Sequence, residues 1–152
     1  MASNELKPEN CSCLALRQAA RVVTQFYDQH LAARGLRTTQ YSILARLDRL
    51  GPMTINSLAA ELVMDRTTLG RNILPLERDG LVRVRQNAAD ARSRDLEVTA
   101  KGAKRLRAAR AGWLEAQKHF DAAFGGENAA ELRAVLKAVV TSTCGANPQT
   151  DE

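Results

Sequence analysis

Between residues 14 and 33 the apolar side chains fall at Leu16, Ala19, Val23, Phe26, Tyr27 and Leu31, with His30 beside them. These three- and four-residue steps predict a helix from Leu14 to Ala33 with one buried stripe, stopped by Gly35. A second run, Tyr41, Ile43, Leu44, Leu47 and Leu50, predicts a helix capped by Thr38 or Thr39 and closed by Gly51-Pro52. Thr54–Ile55 reads as a brief extended piece, after which Asn56 or Ser57 can cap a short helix that turns Leu58, Ala59 and Leu62 inward. Beyond the break "MDRTT", Asp65 or Thr67 can cap a further helix to about Arg78, with Leu69, Ile73 and Leu76 on its apolar side. Pro75 predicts a kink or an early end there, because proline removes one backbone bond and clashes with the preceding turn.

Gly80 closes that element, and two short runs follow that read as strands, Leu81–Arg85 and Leu96–Thr99. The connector between them is long and carries Asp90, Arg92 and Arg94 at its tip. Thr99 can cap a long helix over residues 100–124 with Leu106, Trp113, Leu114 and Phe120 on a face, and Gly125-Gly126 breaks it. A last amphipathic helix from Glu127 carries Leu132, Val135, Leu136 and Val139. The polar ends, residues 1–10 and 146–152, read as frayed tails. The pattern predicts a mainly α fold with a small β wing.

Composition narrows this only a little. At 152 residues the chain is one ordinary domain, 45% hydrophobic and 26% charged, with aromatics at 4%, so an aliphatic core is expected. The net charge of +5 permits a polyanionic partner without proving one. No apolar run reaches the roughly 20 residues of a membrane span, and "MASNELKPEN" lacks the basic head and apolar segment of a secretory signal. A cytoplasmic protein without membrane contact is expected. Cys11, Cys13 and Cys144 are too few and of the wrong number for a disulfide scaffold, which argues for free thiols. "CSC" lacks the usual zinc spacing, and no metal or other cofactor is expected.

Two short helices across a tight break, followed by a two-stranded ribbon, make a winged helix-turn-helix, whose second helix enters the major groove of double-stranded DNA. Its first residues here are Arg66, Thr67, Thr68, Arg71 and Asn72. Arginine pairs with guanine at two points, asparagine with adenine, and threonine with bases or phosphate. Positions 66, 67, 70 and 71 share a face opposite Leu69, Ile73 and Leu76. The long connector fits the same reading, since Arg92 and Arg94 at its tip suit a narrow, negative minor groove. Asp90, which phosphate repels, is expected to hold Arg92 by a charge-assisted pair. Arg83 and Arg85 fit a solvated face as well as phosphate contact, and Asn56 and Ser57 fit capping as well as phosphate contact.

The stretch "DARSRDLEVTAKG" resembles the wing signature of the MarR regulators (multiple-antibiotic-resistance repressor type), D-x-R-[SA]-x-x-[LV]-x-L-T-x-x-G. Asp90, Arg92, Ser93, Leu96, Thr99 and Gly102 match, and Val98 stands in place of Leu. "LAAELVMDRTTLGRNILPLERDGLV" is similar to the family's helix pair, and the likeness runs from about Leu14 to Ser142. The resemblance implies an intertwined homodimer. Its dimerisation helices would lie in 14–50 and 100–143, and its winged region, 51–99, would reach a palindromic operator. It further implies a repressor released by a small ligand or by oxidation. The apolar stripes of the first and last helices agree, since a small winged domain alone would not cover them.

"CSCLALRQAARVVTQFY" resembles the start of the family's organic-hydroperoxide-sensing branch. That resemblance puts Cys13 on the reactive position and Tyr27 on one of the tyrosines that hold the thiolate, while Arg17 and Thr38 stand where other tyrosines would be. Arg17 lies one helical turn from Cys13, and a guanidinium or a helix N-terminus favours a thiolate. A thiolate oxidises to a sulfenic acid and then to a disulfide. Cys11 is near in sequence, and the family topology brings Cys144 toward the partner's first helix. The other trigger is a ligand in a pocket between the first, second and fifth helices and the winged domain. Tyr27, His30, Tyr41 and Trp113 are its candidate lining, with Arg17 pairing to a carboxylate, which suits a small aromatic or carboxylate effector. Two competing classes remain. A thiol-based peroxide-reactive enzyme would rest on Cys13 alone, with no His or acid nearby in sequence, so no catalytic residue is assigned. A winged domain used only for protein contact would normally have lost Arg66, Arg71, Arg92 and Arg94.

Overall fold

The computed structural model describes residues 7–142, which leaves Cys144 outside the described residues. Six helices and three strands follow in the order α1 (Ser12–Leu31), α2 (Thr38–Leu50), β1 (Met53–Thr54), α3 (Ile55–Glu61), α4 (Arg66–Arg78), β2 (Val82–Gln86), β3 (Arg94–Val98), α5 (Ala100–Phe124) and α6 (Gly126–Thr141). The chain forms two compact units that divide within α5, one ending at Trp113 and the other starting at Leu114.

α1 starts two residues earlier than its apolar stripe suggests. Cys11 is its N-cap, and the Cys11 sulfur accepts a hydrogen bond from the Leu14 amide at 3.4 Å. Pro8–Asn10, read from sequence as tail, is a short 3-10 turn leading into the helix. Every residue from Cys11 to Val22 is exposed, and only Tyr27 and Leu31 of this helix are buried. Gly35, in the left-handed region at φ 65°, ends the 3-10 turn that follows.

The caps differ from those expected in two places, and in both a residue outside the first turn supplies the acceptor. α2 is not capped by its own threonines. Asp28 of α1 accepts from both the amide and the hydroxyl of Thr38 at 2.7 Å, while Gln40 accepts from the Arg37 amide at 2.9 Å. α3 is capped by Thr54, whose hydroxyl accepts from the Ser57 amide at 3.1 Å, because the extended piece is Met53–Thr54 and ends one residue sooner. α4 is capped by Asp65, which accepts from the Thr68 amide at 2.8 Å. Pro75 does not end α4, which continues to Arg78 with the proline in its interior.

The turn between α3 and α4 closes by two bonds, Val63 amide to Ala60 carbonyl at 3.1 Å and Met64 amide to Ala59 carbonyl at 2.8 Å. This crossed pair needs a left-handed residue at its centre, a place glycine usually fills. Here Val63 fills it, at φ 51°.

Around this pair the core is assembled from Leu31, Leu36, Ile43, Leu44 and Leu47 on the α1–α2 side and Leu58, Leu69, Ile73 and Leu76 on the α3–α4 side. The three strands form one antiparallel sheet in the order β1-β3-β2. β2 and β3 pair Val82 with Val98, Arg83 with Glu97, Val84 with Leu96, Arg85 with Asp95 and Gln86 with Arg94. Leu96 and Val82 point into the core, so by strand alternation Arg83, Arg85, Asp95 and Glu97 lie on the outer face. At the root of this ribbon the Thr99 hydroxyl donates to the Gly80 carbonyl at 2.6 Å and accepts from the Gly102 amide at 3.0 Å, starting α5. In the second unit α5 turns into α6 through Gly125, at φ 92°, and Asp121 pairs with Arg133 at 3.6 Å.

Candidate nucleic-acid interface

α4 buries Leu69, Ile73 and Leu76 and leaves Arg66, Thr67, Thr68 and Arg71 exposed. The Asp65 cap fixes the first turn, so these four side chains start from a defined backbone. Thr68's hydroxyl and amide hold the Asp65 carboxyl below its ordinary value of 3.8. Asn72 is half-buried and its amide donates back to the Thr68 carbonyl at 2.9 Å, so it reaches outward only by giving up that bond. Gly70 is half-buried too, facing the Ile55 side chain.

The ribbon's connector is shorter than sequence suggested, residues 87–93, because both strands extend further toward the tip. Arg94 is therefore the first residue of β3, opposite Gln86, and not a tip residue. Arg92 stays on the loop and is exposed. Asp90 acts on it through the backbone: its carboxylate accepts from the Arg92 amide at 2.9 Å, and no ion pair to the Arg92 guanidinium is present among the described residues. An aspartate two residues upstream reaches an amide of its own turn more readily than a long outward side chain. Asn87, which sequence reading passed over, anchors the same loop, although "NAAD" carries the signature of an Asx turn.

Arg83 and Arg85 both pair with Glu97, at 2.8 and 3.1 Å. The hydrogen bond from Arg83, with that from Arg85 behind it, holds the Glu97 carboxyl low, and the same contact raises Arg83. Asn56 and Ser57 are exposed at the start of α3, with the Ser57 hydroxyl 2.9 Å from that of Thr54.

The candidate effector residues separate. Tyr41 and Trp113 stack, ring centroids 5.9 Å apart and 12° from parallel. Beside Tyr41 an open cleft of about 320 Å³ lies between α2 and α5, lined by Tyr41, Ala45, Asp48, Arg49, Leu106, Arg107 and Arg110. Burial raises the Tyr41 hydroxyl and the Arg110 charge opposes that rise. Arg107 and Arg110 were not expected. Their three-residue steps toward Trp113 on one helix were the available signal. Of the expected lining only Tyr41 borders this cleft: Trp113 touches it only through the Tyr41 stack, Tyr27 is buried on α1, Arg17 is exposed on α1, and His30 donates from Nδ1 to the Phe26 carbonyl at 2.9 Å. Cys11 and Cys13 are exposed free thiols at the start of α1. Fourteen residues of one helix place Tyr27 roughly 21 Å from Cys13, so within one chain the two do not meet. Among the described residues no group of three or more His, Cys, Asp and Glu is placed to hold a metal, and no helix is long and apolar enough to cross a membrane.

Two helices across a tight turn, an outward polar face on the second of them and a three-stranded wing define a winged helix-turn-helix protein. The chain belongs to the MarR family. The model of that family matches residues 36–93. The Mycobacterium tuberculosis transcriptional regulator MosR, solved in complex with DNA, is 39% identical to this chain, with a TM-score of 0.71 over 85% of this chain and 98% of that one. A probable transcriptional regulator from Pseudomonas aeruginosa shares the fold, at 24% identity and a TM-score of 0.78, over 86% and 98% of the two chains. The uncharacterized HTH-type transcriptional regulator YwoH of Bacillus subtilis is 31% identical over 90 residues, 59% of this chain and 65% of that one, so the match spans just under two thirds of that regulator's length. The chain is thus a transcriptional regulator and not an enzyme.

Proposed function

We propose that the protein is a cytoplasmic, dimeric repressor that binds a palindromic operator on double-stranded DNA. Arg66, Thr67, Thr68, Arg71 and Asn72 enter the major groove, and Arg92 reaches the neighbouring minor groove, with Arg94 at the start of β3 as a further DNA contact. The observation that carries this reading is the exposed polar first turn of α4, fixed by Asp65 and set off from a fully buried opposite face. The MosR complex with DNA, at 39% identity, supports it. Residues 51–99 form the reading head, and residues 14–50 and 100–143 form the dimerisation part. Exposed apolar side chains on α1, such as Leu14, Leu16 and Val22, and on α6, such as Val135 and Val139, support burial against a second copy.

Release has two candidate triggers. The first is a small aromatic or carboxylate effector in the cleft beside Tyr41, where the Tyr41 ring, backed by its stack on Trp113, offers an aromatic face and Arg49, Arg107 and Arg110 offer positive charge. The second is oxidation of Cys13, with Cys11 or Cys144 as resolving thiol; Tyr27, buried in its own chain, does not hold the thiolate within that chain. Exposure of both described thiols supports access by peroxide.

The test is a fluorescence-anisotropy titration of the reduced protein on the DNA upstream of its own gene, at two salt concentrations. It is then repeated after an organic hydroperoxide and again after dithiothreitol. Tight, salt-sensitive binding that Arg71→Ala and Arg92→Ala each weaken is the expected result. No loss in either variant refutes the DNA interface. Release by peroxide that Cys13→Ser abolishes selects oxidation; binding that survives peroxide selects the cleft.

A further inference from the structure

We infer that Asn87 and Asp95 form a positioning clamp that holds the wing loop, residues 87–93, in the shape that presents Arg92 to DNA. This rests on the proposal that the wing reaches DNA. The loop reads Asn-Ala-Ala-Asp-Ala-Arg-Ser and has no apolar side chain larger than alanine, so burial does little to fix its shape. Ordering it against chain entropy therefore falls to polar bonds.

Those bonds converge on Asn87. Its amide nitrogen donates to both carboxylate oxygens of Asp95, at 3.0 and 2.8 Å. Its amide oxygen accepts from the backbone of Ala89 at 2.8 Å and of Asp90 at 3.0 Å, and its own backbone amide donates to the Ser93 carbonyl at 2.9 Å. Asp90, placed by this turn, accepts from the Arg92 and Ser93 amides, and Gln86 donates to the Ala91 carbonyl at 2.8 Å. One half-buried side chain thus ties both ends of the loop and its first turn to the sheet.

The anchor is well chosen. Asp95 lies on the central strand, paired to Thr54 on one side and Arg85 on the other, so it moves only with the whole sheet. Strand alternation carries Arg83, Arg85 and Asn87 along the same outer face as Asp95. Arg83 and Arg85 are held by Glu97, and among the described residues Asp95 makes no ion pair, so its carboxylate is left to Asn87. Hydrogen bonds to an ionised acceptor are the strong kind. A carboxylate next to a DNA-binding loop is unfavourable by charge alone, which makes its effect on affinity diagnostic.

The experiment measures anisotropy of a fluorescein-labelled duplex from upstream of the protein's own gene, titrated with the full chain, alongside thermal melting of each variant. Asp95→Ala removes a negative charge, so electrostatics alone would tighten binding; the clamp requires binding to weaken by about tenfold. Asn87→Asp sets two carboxylates against each other and weakens binding as well. The exchanged pair, Asn87→Asp with Asp95→Asn, restores donor and acceptor at unchanged net charge and recovers wild-type affinity. If Asp95→Ala binds as well as or better than wild type while Arg92→Ala binds worse, the clamp is overturned and the wing's role stands. An exchanged pair that melts like wild type yet does not recover affinity overturns it too. If Arg92→Ala loses nothing, the wing reading fails and the clamp fails with it.

Discussion

Gly102→Ala probes how the wing is joined to the rest of the molecule. A Cβ at this position would lie 2.0 Å from the Leu81 carbonyl oxygen and 2.9 Å from Val98 Cγ2. Non-bonded heavy atoms settle at about 3.5–4.0 Å, so the two backbones would have to part by more than ~1 Å. They are not free to do so. Thr99 ties the start of α5 to Leu81 through its amide, at 3.0 Å, and to Gly80 through its hydroxyl, and the Gly102 amide donates to that same hydroxyl. Overpacking of this kind costs about 1–3 kcal/mol, and each hydrogen bond stretched out of range adds about 1 kcal/mol. Against this, alanine is better than glycine inside a helix by about 1 kcal/mol. The net is a loss of roughly 2–3 kcal/mol, a melting temperature lower by about 5–10 °C for a domain of this size. Circular-dichroism melts at one fixed protein concentration measure it. Gly126→Ala is the control, because nothing lies within 4 Å of its Cβ position. There the same chemical change should leave stability unchanged or raise it by about 0.4–1 kcal/mol. Equal melting temperatures for Gly102→Ala and wild type would refute the close-approach argument, whichever way the control falls.

Two further outcomes follow from the helix-turn-helix itself. Val63→Asn, at the left-handed centre of the α3–α4 turn, should stabilise the protein by about 1 kcal/mol, since valine pays a steric cost there that asparagine largely avoids; a melting temperature that falls or stays level refutes this. Asp65 has a carboxyl pKa lowered by Thr68, so the stabilising charged cap is complete above the ordinary 3.8 and is lost as pH falls through the lowered folded value. Asp65→Asn keeps a good cap at neutral pH and should make stability flatter between neutral and acid pH, as read from melts across that range; an unchanged acid limb would show that the cap's charge does not matter.

The sequence by itself determined the elements and their sides. Apolar residues at helical spacing placed Ile43, Leu44 and Leu47 on one face of α2 and Leu69, Ile73 and Leu76 on one face of α4, and all six are buried. The polar face of α4 followed at once, because a helix with one side committed to the core has its other side settled by geometry. That two short runs around Val82 and Val84, and around Leu96 and Val98, form strands was legible for the same reason, although their residue-by-residue register came only with the structure. Local periodicity contains this information, and no distant residue has to be known to read it.

Tertiary structure decided what depended on residues far apart in the chain. Asp28 caps a helix that starts ten residues later, a contact that exists only once α1 and α2 meet. Asn87 and Asp95 find each other across the ribbon, and Glu97 gathers Arg83 and Arg85, because register fixes which side chains share a face. Arg107 and Arg110 gain a role only when α5 lies beside Tyr41, whereas Arg17 and His30, equally plausible in one dimension, end elsewhere. A side chain's type and spacing state what it can bond to; which partner it meets is set by how the elements pack.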